Sequence, residues 1–207
     1  MAGKREANRQ DLKSRLVAAA REQILDKGLK GIRARDVTTR AGCALGGLYS
    51  VFEDLDMLVI AVNAETLMQL DAVLSSAAAG RPGPVAQMRA MARAYLRFAL
   101  DNRNLWNAVF GHRLPEGANI PQWYVDEYVA MFRHVVAPLA MLEPELSPGK
   151  LNLKARSVFA AVHGIVAISI QERFVGVPGE SLERELDDFI ETLAAGIAAR
   201  RGRTAQR

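Results

Sequence analysis

The sequence of 207 residues contains a single cysteine, Cys43, so no disulfide can form within the chain and no cysteine-based metal cluster is available. It has no uninterrupted run of 18 apolar residues, and so nothing in it reads as a membrane span. The first 21 residues are polar and charged and lack the hydrophobic stretch of a signal peptide. No segment keeps the strict apolar–polar alternation of a half-buried strand. Missing as well are Gly-x-Ser-x-Gly, a phosphate-binding loop, His-Glu-x-x-His and paired cysteines. Cys43 lies far along the chain from His112, His134 and His163, which leaves little from which to assemble an enzyme. These absences predict a cytoplasmic, all-α, non-enzymatic protein that uses no cofactor, no metal and no membrane.

What is present is ample apolar material, 50% of the residues, enough for one large or two small domains. The net charge of +4 is unevenly placed. Residues 1–53 carry 11 Lys/Arg against 6 Asp/Glu, whereas residues 54–207 carry 16 against 17. A basic segment joined to a neutral one is the electrostatic footprint of a nucleic-acid reader, although a solvated basic face has the same composition.

Helical periodicity runs through nearly the whole chain. A first helix is expected over residues 11–27, with Leu12, Leu16, Ala19, Ala20 and Ile24 spaced three and four apart and Gly28 at its end. Two short helices, 34–41 and 45–52, flank a turn at Gly42-Cys43-Ala44. Asp54 is placed to cap a long helix to residue 79, which the Gly80-Arg81-Pro82-Gly83-Pro84 run breaks. Five more helices are expected over 84–101, 103–112, 121–141, 150–174 and 180–200. The last carries a stripe of Leu182, Leu186, Phe189, Ile190, Leu193 and Ile197.

The two short helices and their turn have the spacing of a helix-turn-helix. Such a pair cannot bury its apolar side alone, and the 11–27 helix supplies the third wall. Val37, Ala41, Leu48 and Phe52 would share that core, leaving the far side of the 45–52 helix free to enter a DNA major groove.

Residues 16–58 resemble the TetR family of transcriptional regulators. The matching elements are Ala19-Ala20, Ile24, Gly28, Asp36-Val37, Ala41-Gly42, Gly46-x-Leu48-Tyr49-x-x-Phe52 and Leu58, in the family's spacing throughout. The resemblance implies an N-terminal three-helix DNA-binding domain, residues 1–53, and a helical ligand-binding and dimerisation domain, residues 54–207. It places Arg33 and Arg35 at the start of the first short helix, where an arginine touches phosphate or forks onto guanine. Thr39 and Arg40 project from the same helix, and Tyr49 matches a tyrosine whose hydroxyl reaches a phosphate. Leu45 and Gly46 complete the expected contact surface, Leu45 suiting either a thymine methyl or some other partner.

The chain also departs from the family pattern. Ala44 stands where a capping serine is common, Leu45 where a polar residue is, Gly47 for threonine, Val51 for histidine and Leu55 for lysine. Polar contacts are lost and apolar ones kept, so the fold is unaffected. An alternative therefore stays open: a TetR-like protein with weakened DNA binding that acts through a protein partner.

Eight of the 13 aromatic residues fall between residues 95 and 132. Tyr95, Phe98, Trp106, Phe110, His112, Tyr128 and His163 are the candidate lining of a site for a small apolar or aromatic effector, although an aromatic-rich core accounts for them equally. Met88, Met91, Met131 and Met141 suit an adaptable pocket or plain core filling. Ala155, Ala160, Ala161, Gly164, Ala167 and Ser169 permit close helix approach, so a homodimer through helices 150–174 and 180–200 is expected. The resemblance thus implies a repressor that leaves a palindromic double-stranded operator when its effector binds.

Overall fold

The computed structural model describes residues 2–171 and 175–205, and among them are nine α-helices, one 3-10 turn and no strand. The helices are α1 (Ala2–Lys27), α2 (Ala34–Arg40), α3 (Leu45–Tyr49), α4 (Leu55–Ala78), α5 (Gly83–Asp101), α6 (Arg103–Gly111), α7 (Gln122–Leu142), α8 (Pro148–Ile170) and α9 (Gly179–Ala205). The all-α expectation holds and each expected helix is present, although the one expected over 45–52 ends at Tyr49 and the one expected over 150–174 ends at Ile170. Residues 172–174, expected to close the 150–174 helix, lie outside the described residues.

Two compact units can be distinguished. The first comprises Met1–Gln69 and Asn102–Glu127, the second Leu70–Asp101 and Tyr128–Arg207. Both α4 and α7 contribute to each.

The first unit is built on the three-and-four spacing of α1. Leu16, Ala19, Ala20 and Ile24 are buried against Val37 and Ala41 of α2, Leu48 of α3, Phe52, and Leu58, Val59 and Val62 of α4. Leu105 and Ala108 of α6 join the same core. Asn104 at the start of α6 donates from its amide to the Leu25 carbonyl at 2.7 Å, tying α6 to the C-terminal turn of α1. Helix α1 ends where Gly28 takes a φ of +68°, a conformation a side chain resists, while its N–H still closes onto Ile24 at 2.8 Å. Asp54 caps α4: its carboxylate accepts the Met57 N–H at 2.8 Å.

Helix α1 begins nine residues earlier than its apolar spacing indicates. Residues 3–10 are exposed and carry no apolar stripe, so that extension rests on helix-favouring Lys, Arg, Glu and Ala alone.

In the second unit, α5 packs its stripe of Met88, Met91, Ala92, Tyr95 and Leu96 toward α8 and α9. Helix α9 answers with buried Leu182, Leu186, Ile190 and Ile197. Among them sits a charge, Asp187, whose side chain is 6% exposed. Arg93 Nε donates to it at 3.0 Å and Arg89 Nη2 at 2.7 Å. Burial pushes this carboxyl up, but the bonds from Arg93 and Arg89 outweigh that and hold it at about 2.

Helices α4 and α8 are each long and apolar enough to cross a membrane by length and composition, which the absence of an 18-residue apolar run had not suggested. A core helix passes the same test. On α8, Leu151, Ala155, Val158, Val162, Val166 and Ile170 are buried within the second unit. Its other side, with Leu153, Ser157, Ala160 and Ile168, is exposed.

Candidate functional site

The α2–turn–α3 corner is held from behind by α1. Gln23, buried on α1, accepts the Arg33 N–H with Oε1 at 2.9 Å and donates from Nε2 to Asp36 at 3.2 Å, fixing the first turn of α2. Arg15 donates from Nη1 to the Ala41 carbonyl at 2.6 Å, satisfying the other end of that helix. Gly42 turns the chain with φ +67°, and Cys43 N–H returns to the Thr38 carbonyl at 3.0 Å. Cys43 is half-buried and packs against the first core. A Cβ on Gly47 would stand 3.3 Å from the Cys43 sulfur, so the glycine lets α3 sit tightly against the turn. Neither Gln23 nor Arg15 was singled out in the sequence. A polar residue on the apolar side of α1 was the available signal for Gln23.

The expected DNA contacts all lie on this corner, and all are exposed: Arg33, Arg35, Thr39, Arg40, Leu45, Gly46 and Tyr49. Their polar groups are not equally available. Arg33 donates from Nη1 to the Lys30 and Ile32 carbonyls at 2.9 and 2.8 Å. Arg40 pairs with Glu22 at 2.8 Å and approaches Asp26 at 3.8 Å. Thr39 donates its hydroxyl to the Arg35 carbonyl at 2.8 Å. Among the described residues Arg35 has no side-chain partner, so its guanidinium fork stands open to solvent. Tyr49 is 52% exposed. Ala44 is the N-cap of α3 and provides no side-chain bond, as its identity requires.

The second unit contains a cavity of about 60 Å³ lined by Leu74, Met88, Met91, Ala92, Tyr95, Met131, His134, Val135, Val158, Phe159, Val162 and Ile190. Two of its wall residues carry polar groups, and both groups are engaged within the protein. The Tyr95 hydroxyl and His163 Nδ1 share a hydrogen bond of 2.7 Å. The His134 ring N–H donates from Nε2 to Asp71 at 2.7 Å, and Arg133 donates to the other Asp71 oxygen at 2.6 Å. Burial lowers the pKa of His163, favouring the neutral ring. Phe159 stacks on His163 with centroids 5.7 Å apart and meets Tyr95 edge-on at 6.0 Å.

Of the residues expected to line an effector site, Tyr95 is in this wall and His163 is bonded to it. Phe98 is buried on α5, and Tyr128 is half-buried on α7. Trp106, Phe110 and His112 belong to the first unit. There the Trp106 and Phe110 rings lie 5.1 Å apart, and the His112 ring is 2.8 Å from Asp56. Met88, Met91 and Met131 line the cavity, whereas Met141 is exposed. His134, Val158 and Phe159 were not foreseen as lining.

Residues 88–193 match the family model of a tetracyclin repressor-like C-terminal domain. The chain belongs to the TetR family. It is thus a DNA-binding transcriptional regulator by family. Solved structures share the TetR fold over most of their length. A protein of unknown function from Rhodococcus sp. RHA1 is 24% identical, with 89% of this chain and 94% of that one covered and a TM-score of 0.71. A transcriptional regulator from the same organism is 20% identical, with 89% and 96% covered and a TM-score of 0.61. The TetR-family regulator PfmR from Thermus thermophilus is 14% identical, with 87% and 97% covered and a TM-score of 0.58. At these identities the likeness is one of fold. No curated protein sequence matches the chain.

Proposed function

We propose that this TetR-family protein is a cytoplasmic repressor that binds a palindromic operator as a homodimer and is released by a small apolar or aromatic effector. Residues 1–53 form its DNA-binding domain, and residues 54–207 serve effector binding and dimerisation. The observation that carries the DNA-binding part is the open guanidinium of Arg35 on α2, together with exposed Tyr49 on α3, on a corner fixed by Gln23 and Arg15. An unpaired arginine fork can take guanine O6 and N7 together, and a tyrosine hydroxyl can take a phosphate.

The cavity in the second unit supports the effector reading. Its wall is apolar, its two polar residues are satisfied internally, and three methionines make it adaptable. Leu74 in that wall and Asp71, bonded to His134, both lie on α4, which also carries Leu58, Val59 and Val62 of the first core. An effector that enlarges the cavity shifts α4 and with it the spacing of the two recognition helices in the dimer. By linkage, effector and operator weaken each other's binding by the same factor.

The exposed side of α8 supports the dimer. Nothing lies within 4 Å of where a Cβ on Gly164 would stand, and Leu153 and Ile168 are exposed on the same helix. Two copies of this face, with α9, would form an isologous interface whose two-fold axis suits a palindrome.

A gel shift with the chain's own upstream DNA tests the reading. Binding is expected. Arg35→Ala should relax base preference, and Tyr49→Phe should weaken binding on every sequence. Calorimetry should find operator affinity lowered by effector; unchanged affinity would reject the coupling. A second reading, weak DNA binding with action through a protein partner, is favoured by the apolar character of α3, where Leu45 is 38% exposed. Absence of any shift, with capture of a protein partner dependent on Leu45, would favour it.

A further inference from the structure

We infer that α3 reads thymine methyl groups, with Leu45 as the side chain that selects a thymine in each half-site. The inference rests on the proposed insertion of this corner into duplex DNA.

The outward surface from residue 44 to residue 50 consists of Ala44, Leu45, Gly46, Tyr49 and Ser50, since Leu48 is buried in the core. No charged side chain and no side-chain amide occurs between Gly42 and Phe52. The one hydroxyl beside Tyr49, that of Ser50, donates to the Gly47 carbonyl at 2.7 Å and is occupied within the helix. Helix α3 therefore offers almost nothing with which to read the donor and acceptor pattern of base edges. In the major groove one base-specific feature is apolar, the thymine C5-methyl.

Leu45 matches that feature in chemistry and in place. It sits in the first turn of α3, where a recognition helix meets base edges, and it remains 38% exposed although the core is one turn away. A leucine so exposed gives up part of the free energy its burial would yield. Ala44 before it and Gly46 after it are also exposed, and no atom lies within 4 Å of a Cβ built on Gly46. With no bulk on either side, nothing holds Leu45 away from a groove floor. Polar readout would fall to Arg35 on α2, so the half-site would join a guanine contact to a thymine contact.

The test begins with duplexes selected from a random library by the full-length protein. Each thymine of the selected half-site is then replaced singly by uracil, which removes the methyl and leaves pairing intact. Wild type should lose about fourfold in affinity at one or two positions, the worth of one buried methyl-sized group. Leu45→Ala, an exposed change whose fold is checked by circular dichroism, should bind thymine and uracil duplexes alike. The inference is overturned if every thymine-to-uracil change leaves wild-type affinity unaltered, or if Leu45→Ala keeps the full thymine preference. Failure to select any duplex would instead overturn the DNA-binding reading, and this inference with it.

Discussion

At the scale of single residues, charge state and pairing decide more than identity. Arg33, Arg35 and Arg40 look alike in the sequence, yet Arg33 is spent on backbone carbonyls and Arg40 on Glu22. Arg35→Ala should therefore cost more DNA specificity than Arg40→Ala, as binding to single-base operator variants would reveal. Asp187 shows the same principle in stability. Its folded pKa of about 2 lies below its ordinary 3.8, so the carboxylate stabilises the fold above pH 4 and loses that contribution as pH falls toward 2. The loss amounts to about 2 kcal/mol. Denaturant unfolding of Asp187→Asn should show an acid dependence smaller by that amount. His163 has the opposite charge on protonation but the same sign of effect. Burial keeps its ring neutral, so its contribution is complete above pH 6.5 and declines below it, and its ring should titrate in NMR below 6.5. The Arg40–Glu22 pair and the Asp187 bonds to Arg89 and Arg93 are not legible in a linear sequence, because each joins groups on different helices.

At the scale of elements, much was legible, for a physical reason. Leu16, Ala19, Ala20 and Ile24 recur at helical spacing because one side of α1 is buried, and Gly28 and Gly42 mark ends where φ must be positive. Elements whose stability does not come from burial left no such trace. The first nine residues of α1 have no stripe. Helix α6 was legible as a helix but its partners were not, since Leu105, Ala108 and Asn104 meet an α1 surface more than 70 residues away. Two substitutions measure what the local signals are worth. Asp54→Ala, removing the cap of α4, should cost about 1 kcal/mol in thermal or denaturant unfolding. Gly42→Ala, forcing a side chain to φ +67°, should cost about 1 kcal/mol and loosen α3 relative to α2.

At the scale of the whole molecule, the proposed function requires two copies acting together. A single corner with one open arginine and one exposed tyrosine makes few phosphate contacts, and doubling it multiplies affinity. Ile168→Glu places a charge on the exposed side of α8 without touching the cores. It should yield a folded monomer by sedimentation whose affinity for a two-half-site duplex is lower by at least about tenfold. The aromatic cluster that pointed to an effector site turned out to divide between the units: Tyr95 lines the second-unit cavity while Trp106 and Phe110 pack in the first. Composition could locate the aromatics along the chain but not the unit in which each would be buried.

On the proposed function, the corner around Gly42 is held against a DNA groove, twice, by a two-fold dimer. A nuclease footprint on the chain's upstream DNA tests it most directly. The account predicts two protected half-sites with centres about 10 base pairs, one helical turn, or a multiple of that apart, both lost in Arg35→Ala with Tyr49→Phe. Protection of a single unpaired site, or a footprint indifferent to both substitutions, would contradict it.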